Sequence, residues 1–267
     1  MTEVPGNKPQ SDPSPPFVHP DSIVRRIWGD GDLVLLVFAG AAAEFALNRA
    51  VDWLFFTGRI PRDPLGRLFS TAAYAQGIVL ADEAGAERTF ARIRAAHGAV
   101  ERARDACIPD WAHRDVLYLL VDYSERAYTA LHRPLTGPER EDLWEVFRRV
   151  GTGLGIPELP VGYGEWQEDR ERHLGRDLAS GEHTRALYAA YRHHLGPWRY
   201  HLLRQVQGVL APERVRTLLG LPGRPWLRGL LPLYPLLARL GLRGALRGAL
   251  IPPDHLASVR RLDLTGA

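Results

Sequence analysis

Glu87-Arg88-Thr89-Phe90-Ala91-Arg92-Ile93-Arg94-Ala95-Ala96-His97-Gly98-Ala99-Val100 is the stretch on which the fold turns. Phe90, Ile93, His97 and Val100 recur at intervals of three and four, and Cys107 follows seven residues later. That is the period of one helical face, not the alternation of a strand. The spacing predicts a helix from Glu87 towards Cys107, ended by Pro109, with His97 on the face that enters an apolar interior. Burial there disfavours the charged imidazole and leaves a neutral ring nitrogen. Taken alone, a single histidine on an apolar face is more often a satisfied core residue than a ligand. Cys107, late in the helix, reads as a small buried side chain.

The same period runs outward in both directions. Upstream, Asp32 is a candidate N-cap for a helix from Leu33 towards Val51, apolar nearly all round and therefore central. After the loop at 61–64, a helix opens near Leu65 or Arg67 and runs to about Leu80, with Asp82 to Ala86 as the next turn. Arg67 and Thr71 lie four apart on that helix and face the same way. Downstream, helices are expected from Asp110 to Leu131 and, after the capping box Thr136-Gly137-Pro138-Glu139, on to Val150. Further ones are expected over 167–177, 180–195 and 200–210, with a short one from Pro212-Glu213. The Leu-, Pro-, Gly- and Arg-rich end, 218–250, reads as short helices strapped across the core. No alternating strand runs and no repeat are present. The chain is expected to be all-α, a single helical domain over 21–267 behind a disordered tail over 1–20, which is rich in Pro, Ser, Asp and Asn.

Composition removes several kinds of chemistry. With 34 basic and 31 acidic residues the formal charge is only +3. Nucleic-acid binding, which needs a clustered basic face, is not expected. Lys8 is the only lysine, so no interior amine is available for Schiff-base work. One cysteine excludes an intrachain disulfide and cysteine-based zinc sites, and Met1 leaves no interior thioether. No H-E-x-x-H is present, no glutamate stands three residues before any histidine, and Asp110-x-x-His113 is the nearest approach to a di-iron pattern. There is no G-x-S-x-G elbow, and the glycines of 151–164 lack the preceding strand of a dinucleotide site. The aromatic and imidazole-rich run of Tyr188, Tyr191, His193, His194 and His201 reads as a partly exposed helix pair. Leu33 to Leu47, the longest apolar stretch, is broken by Glu44 and too short for a transmembrane segment. Without an apolar leader, the expected localisation is cytoplasmic.

Four segments in order carry a resemblance. They are Trp28-Gly29-Asp30 leading into an apolar helix, Asp63-Pro64-Leu65-Gly66-Arg67-Leu68-Phe69-Ser70-Thr71, Ile93-Arg94-Ala95-Ala96-His97-Gly98-Ala99-Val100, and Trp111-Ala112-His113. Together they make the chain similar to the DUF2236 family, related to the latex-clearing rubber oxygenases and the fungal mpaB-type oxygenases. The resemblance implies an all-helical fold around haem b, with His97 in R-x-x-H-x-x-V as the proximal iron ligand. It implies that Arg67 and Thr71 lie beside the cofactor, as site residues for both haem binding and catalysis, Arg67 against a haem propionate. His113, in the segment matching the family's W-x-H, keeps three readings open: a haem neighbour, a hydrogen-bond donor to a ligand, or a surface helix residue; direct ligation is not expected, because a bis-histidine iron would close the oxygen site.

Two positions depart from the family pattern. Ser70 stands where latex-clearing enzymes carry a distal lysine, and Asn48-Arg49 where members often have H-P. The expected function is a haem b-dependent oxygenase using dioxygen on an apolar, isoprenoid or otherwise unsaturated small molecule, with a possible redox partner. Two alternatives stay open: a non-catalytic haem protein for sensing or electron transfer, motivated by Ser70, and a helical interaction protein with a degenerate site.

Overall fold

The computed structural model describes residues 14–56, 63–223 and 225–263, the Leu54 side chain excepted. Among them are α1 (Ile23–Trp28), α2 (Gly31–Phe45), α3 (Asp52–Phe56), α4 (Pro64–Val79), α5 (Glu83–Arg104), α6 (Asp110–Leu131), α7 (Gly137–Gly153), α8 (Tyr163–Arg176), α9 (Glu182–Leu210) and α10 (Glu213–Leu219). Beyond them come short turns of 3-10 helix, then α11 (Tyr234–Leu237), α12 (Arg243–Leu250) and α13 (Leu256–Arg261). No strand forms among the described residues, only the isolated bridges Pro16 to Asp82 and Asn48 to Leu178. The chain is all-α, a single helical domain.

The all-round apolar reading of α2 holds: it lies along α6 at the centre of the bundle. Gly40 allows the approach, since a Cβ there would collide with the Tyr123 ring. The helix starts where Asp30, not Asp32, caps it, accepting from the Asp32 and Leu33 amides. It stops at Phe45 rather than continuing to Val51. The chain turns there because Arg49 donates its amide to the Asp177 carbonyl while the Leu47 carbonyl accepts from Ala179, at 2.9 and 2.8 Å. Backbone groups that would have extended the helix are satisfied by the α8–α9 connection.

Gln76 ties three parts together. Its buried amide donates to the carbonyls of Trp28 and Leu262, both at 2.8 Å, joining α4 to the end of α1 and to the C-terminal segment. Arg247 fastens the same segment to α2 through Asp32 at 2.6 Å and through Asp263. Thr136 and Glu139 form the expected reciprocal cap of α7. The two helices expected either side of Pro197 are both present, joined in α9 across a kink where Gly196 takes a non-helical φ of 72°.

Two expectations need correction. Residues 1–13 of the expected tail lie outside the described residues, but its remainder is fixed: Phe17 and Val18 are core residues, and the Phe17 amide donates to the Ala81 carbonyl. Cys107 is exposed. Asp105 in the left-handed region, φ 52°, ends α5 and throws Cys107 into the following loop, off the helical face that the periodicity assigned to it.

Candidate functional site

α4 and α5 form an antiparallel pair, joined by the Asp82-capped turn. Pairing aligns the start of α4, which carries Arg67 and Thr71, with the far half of α5, which carries His97. Only the near end of α5 is core: Ala86, Thr89 and Phe90 are buried, whereas His97 is half-buried and Ala95, Ala96 and Ala99 are exposed. His97 is therefore not in the apolar interior that its spacing suggested. The helix leaves the core after Phe90, and the alanines of its second half are exposed.

His113, at the start of α6, lies against His97 with ring centroids 5.0 Å apart and planes 33° from parallel. Among the described residues no hydrogen bond engages the His97 ring. Its pKa is pushed down to about 4, first by burial, then by the neighbouring His113 and least by the Arg67 cation, against an upward pull from Glu101. His113 is also lowered, by burial. Both imidazoles are neutral at pH 7, with nitrogen lone pairs available. Arg67 is exposed and forms no ion pair among the described residues. Three of the residues named from the sequence, Arg67, His97 and His113, thus come together.

Thr71 and Ser70 both donate their hydroxyls to the Arg67 carbonyl, at 3.0 and 2.8 Å. Such back-bonding is the ordinary use of these side chains within a helix. Ser70 offers no cation.

These residue types fit an iron porphyrin: an imidazole whose pKa is lowered and a guanidinium suited to a propionate, neither with a hydrogen-bond or ion-pair partner among the described residues.

The other face of α4 borders an apolar cavity of about 390 Å³. Leu65, Leu68 and Phe69 line it with Leu36 and Ala39 of α2 and Tyr191 of α9. Arg67 and Thr71 lie on the opposite side of the helix.

A second histidine centre was not legible as a site. His173 on α8 is buried with Asp115 of α6 and Asp177. Its Nδ1 lies in hydrogen-bond contact with Asp115 and 3.1 Å from Asp177, and its Nε2 is 3.7 Å from Asp169. Asn48, the departure from the family's H-P, donates to Asp115 at 2.6 Å. Burial raises the Asp115 pKa, opposed by His173 and Asn48. The sequence signal was Asp169-x-x-x-His173-x-x-x-Asp177, one face of α8. Next to it Arg170 is clamped by Glu44, at 2.5 and 2.6 Å, and by Asp122 at 3.0 Å, all deep in the bundle.

The sequence model described as "ER-bound oxygenase mpaB/B'/Rubber oxygenase, catalytic domain" matches residues 25–241. The chain belongs to this family. Membership makes it a haem-dependent oxidoreductase of oxygenase type. The family and the buried Asp–His–Asp cluster are consistent with a haem-binding protein in general. No curated protein matches significantly, and no solved structure does.

The family description overturns the expected cytoplasmic localisation, since its members are described as ER-bound. That expectation rested on the absence of an apolar leader and of an apolar span. No helix among the described residues is long and apolar enough to cross a membrane, but attachment to a bilayer needs no crossing helix.

Proposed function

We propose that the chain is a haem b-dependent oxygenase in which His97 is the axial iron ligand and the substrate is an apolar, unsaturated molecule of isoprenoid type. The observation that carries this reading is the state of His97: neutral, half-buried, without a hydrogen-bond partner among the described residues, and facing the charge of Arg67. A structural histidine ordinarily has both ring nitrogens engaged; this one has a lone pair to give.

Bound haem would supply the iron that activates dioxygen. The chain's own residues do the rest. His97 offers its neutral nitrogen to the metal, and burial keeps protons from competing for it above pH 4. Arg67 balances a propionate and fixes the macrocycle's orientation. Thr71, one turn on from Arg67, holds its hydroxyl proton on the Arg67 carbonyl. His113 packs on the His97 ring and limits its rotation. The substrate class rests on the rubber-oxygenase kinship of the family, since the apolar cavity behind α4 lies on the side of the helix away from Arg67 and Thr71. A redox partner delivering electrons completes the reading.

The test is a visible spectrum of the haem-supplied protein in ferric, ferrous and ferrous-carbonyl states, alongside His97→Ala. One haem per chain, lost in the variant and responsive to carbon monoxide, is the expected result. Haem that persists in His97→Ala would remove the ligand assignment. Haem that refuses carbon monoxide and oxygen would remove the oxygenase reading.

A further inference from the structure

The C-terminal segment carries a surface that the haem reading does not use. Six of the eleven large hydrophobic side chains exposed among the described residues fall between Trp226 and Leu242. They are Trp226, Leu230, Leu233, Leu236, Leu240 and Leu242, each 45 to 67% exposed. Scattered exposed leucines are unremarkable, but this many along 17 residues make a patch. The same stretch has a one-sided charge: residues 214–253 contain seven arginines and no aspartate or glutamate. Arg243 and Arg247 are paired with Asp32, and Arg247 also with Asp263. Arg228 and Arg239 are exposed and form no ion pair among the described residues.

Leu230 and Leu233 belong to the patch and also line the apolar cavity, together with Leu231, Tyr234 and Leu237. The patch therefore rims the cavity.

We propose that this face docks on an anionic phospholipid bilayer, with the leucines and Trp226 entering the interface, Arg228 and Arg239 at the headgroups, and the cavity opening towards the lipid phase. Leucine and tryptophan with unpaired arginines match the chemistry of an interfacial surface, where apolar side chains sink past the headgroups and long cations remain among the phosphates. A second copy of the chain suits the face poorly. In a two-fold dimer the same patch meets itself, and no acidic residue of 214–253 would answer the arginines. The polar segment 1–13, whose hydrophobic members are Met1 and Val4, has little apolar surface to cover it with. The proposal rests on the patch and not on the haem assignment.

The experiment is co-sedimentation of the full-length, haem-supplied protein with neutral phosphatidylcholine vesicles and with vesicles containing phosphatidylserine. Arg228→Gln/Arg239→Gln and Leu236→Ser/Leu240→Ser are compared with the parent. Binding to the anionic vesicles, weakened by salt, is expected. Each arginine near an anionic surface is worth about fivefold in partition, so the arginine pair should cost more than about tenfold. The leucine pair should cost at least as much at an unchanged unfolding temperature. Should the leucine variant unfold, the arginine variant decides alone.

Failure to bind either vesicle would overturn the proposal, as would binding that neither variant changes. So would a lipid-free dimer abolished by the leucine variant, which would make the face a self-interface. Because the readout is sedimentation, it fails separately from the spectral test of His97.

Discussion

His97 and His173 stand on neighbouring parts of one bundle and have opposite surroundings. His97 has a ring neighbour, a cation within electrostatic reach and no hydrogen bond to its imidazole among the described residues. His173 has carboxylates at both ring nitrogens and almost no exposure. A histidine held at Nδ1 by buried carboxylates ties α6 to α8. A histidine kept neutral and left without a partner is available to something the chain itself does not contain. The difference teaches that a ligand is recognised less by how deeply it is buried than by what its nitrogens lack.

That comparison breaks most cleanly by exchanging the losses. His97→Ala should lower haem affinity by more than about a hundredfold, beyond the ~10–100-fold that residues merely supporting a ligand are worth, with its unfolding midpoint little changed. Haem titration followed by absorbance measures it. His173→Ala should do the reverse. It removes one partner from the buried Asp115 and Asp177, which keep Asn48 and Arg176, at a cost of roughly 1–3 kcal/mol, read from the urea midpoint, while molecules that remain folded bind haem normally. Haem loss confined to the His173 variant would make the buried cluster the cofactor site and reject the assignment to His97.

Smaller effects sharpen the contrast. Arg67→Gln should weaken haem binding roughly tenfold, as expected for one charge-assisted bond of about 1.5 kcal/mol, and should leave the ligand's spectral signature in place. His113→Ala should retain haem. It should also raise the His97 pKa in the haem-free protein, by removing one of the causes that depress it, a shift visible in the imidazole proton resonances during a pH titration.

The smallest effect is acid sensitivity. The folded value of about 4 lies below the ordinary 6.5, so between those limits the unfolded chain binds more protons. Haem-free stability is held above pH 6.5 and declines as the pH falls to about 4. Thermal melts across this window should show a decline that is shallower in His97→Gln; identical slopes would mean that His97 is not the group concerned.

Much of this was legible in advance because it is local. Helix positions follow from periodicity, and the α7 cap from Thr136 and Glu139 alone. The segments around Arg67, His97 and His113 could be named, and the pairing of α4 with α5 brings them together. The His173 centre was half-legible: Asp169, His173 and Asp177 share one face of α8, but Asp115 and Asn48 arrive from elsewhere in the chain. Asn48 was noticed only as a departure from a pattern; its role as a donor to Asp115 depends on where α2 ends. Cys107 was misplaced because one left-handed residue, Asp105, ended the helix before it.

The sequence by itself determined the all-helical architecture, the family and the residue types at the candidate haem site, since each depends on spacing along the chain or on side-chain chemistry. Only the tertiary structure decided which histidine is committed and which is free. It alone placed the two faces of α4, one towards His97 and one towards an apolar cavity, and gathered the C-terminal leucines into one exposed patch. Those outcomes depend on which carboxylates, rings and helix faces the packing brings within a few ångströms, and long-range proximity of that kind leaves no periodic trace in a sequence.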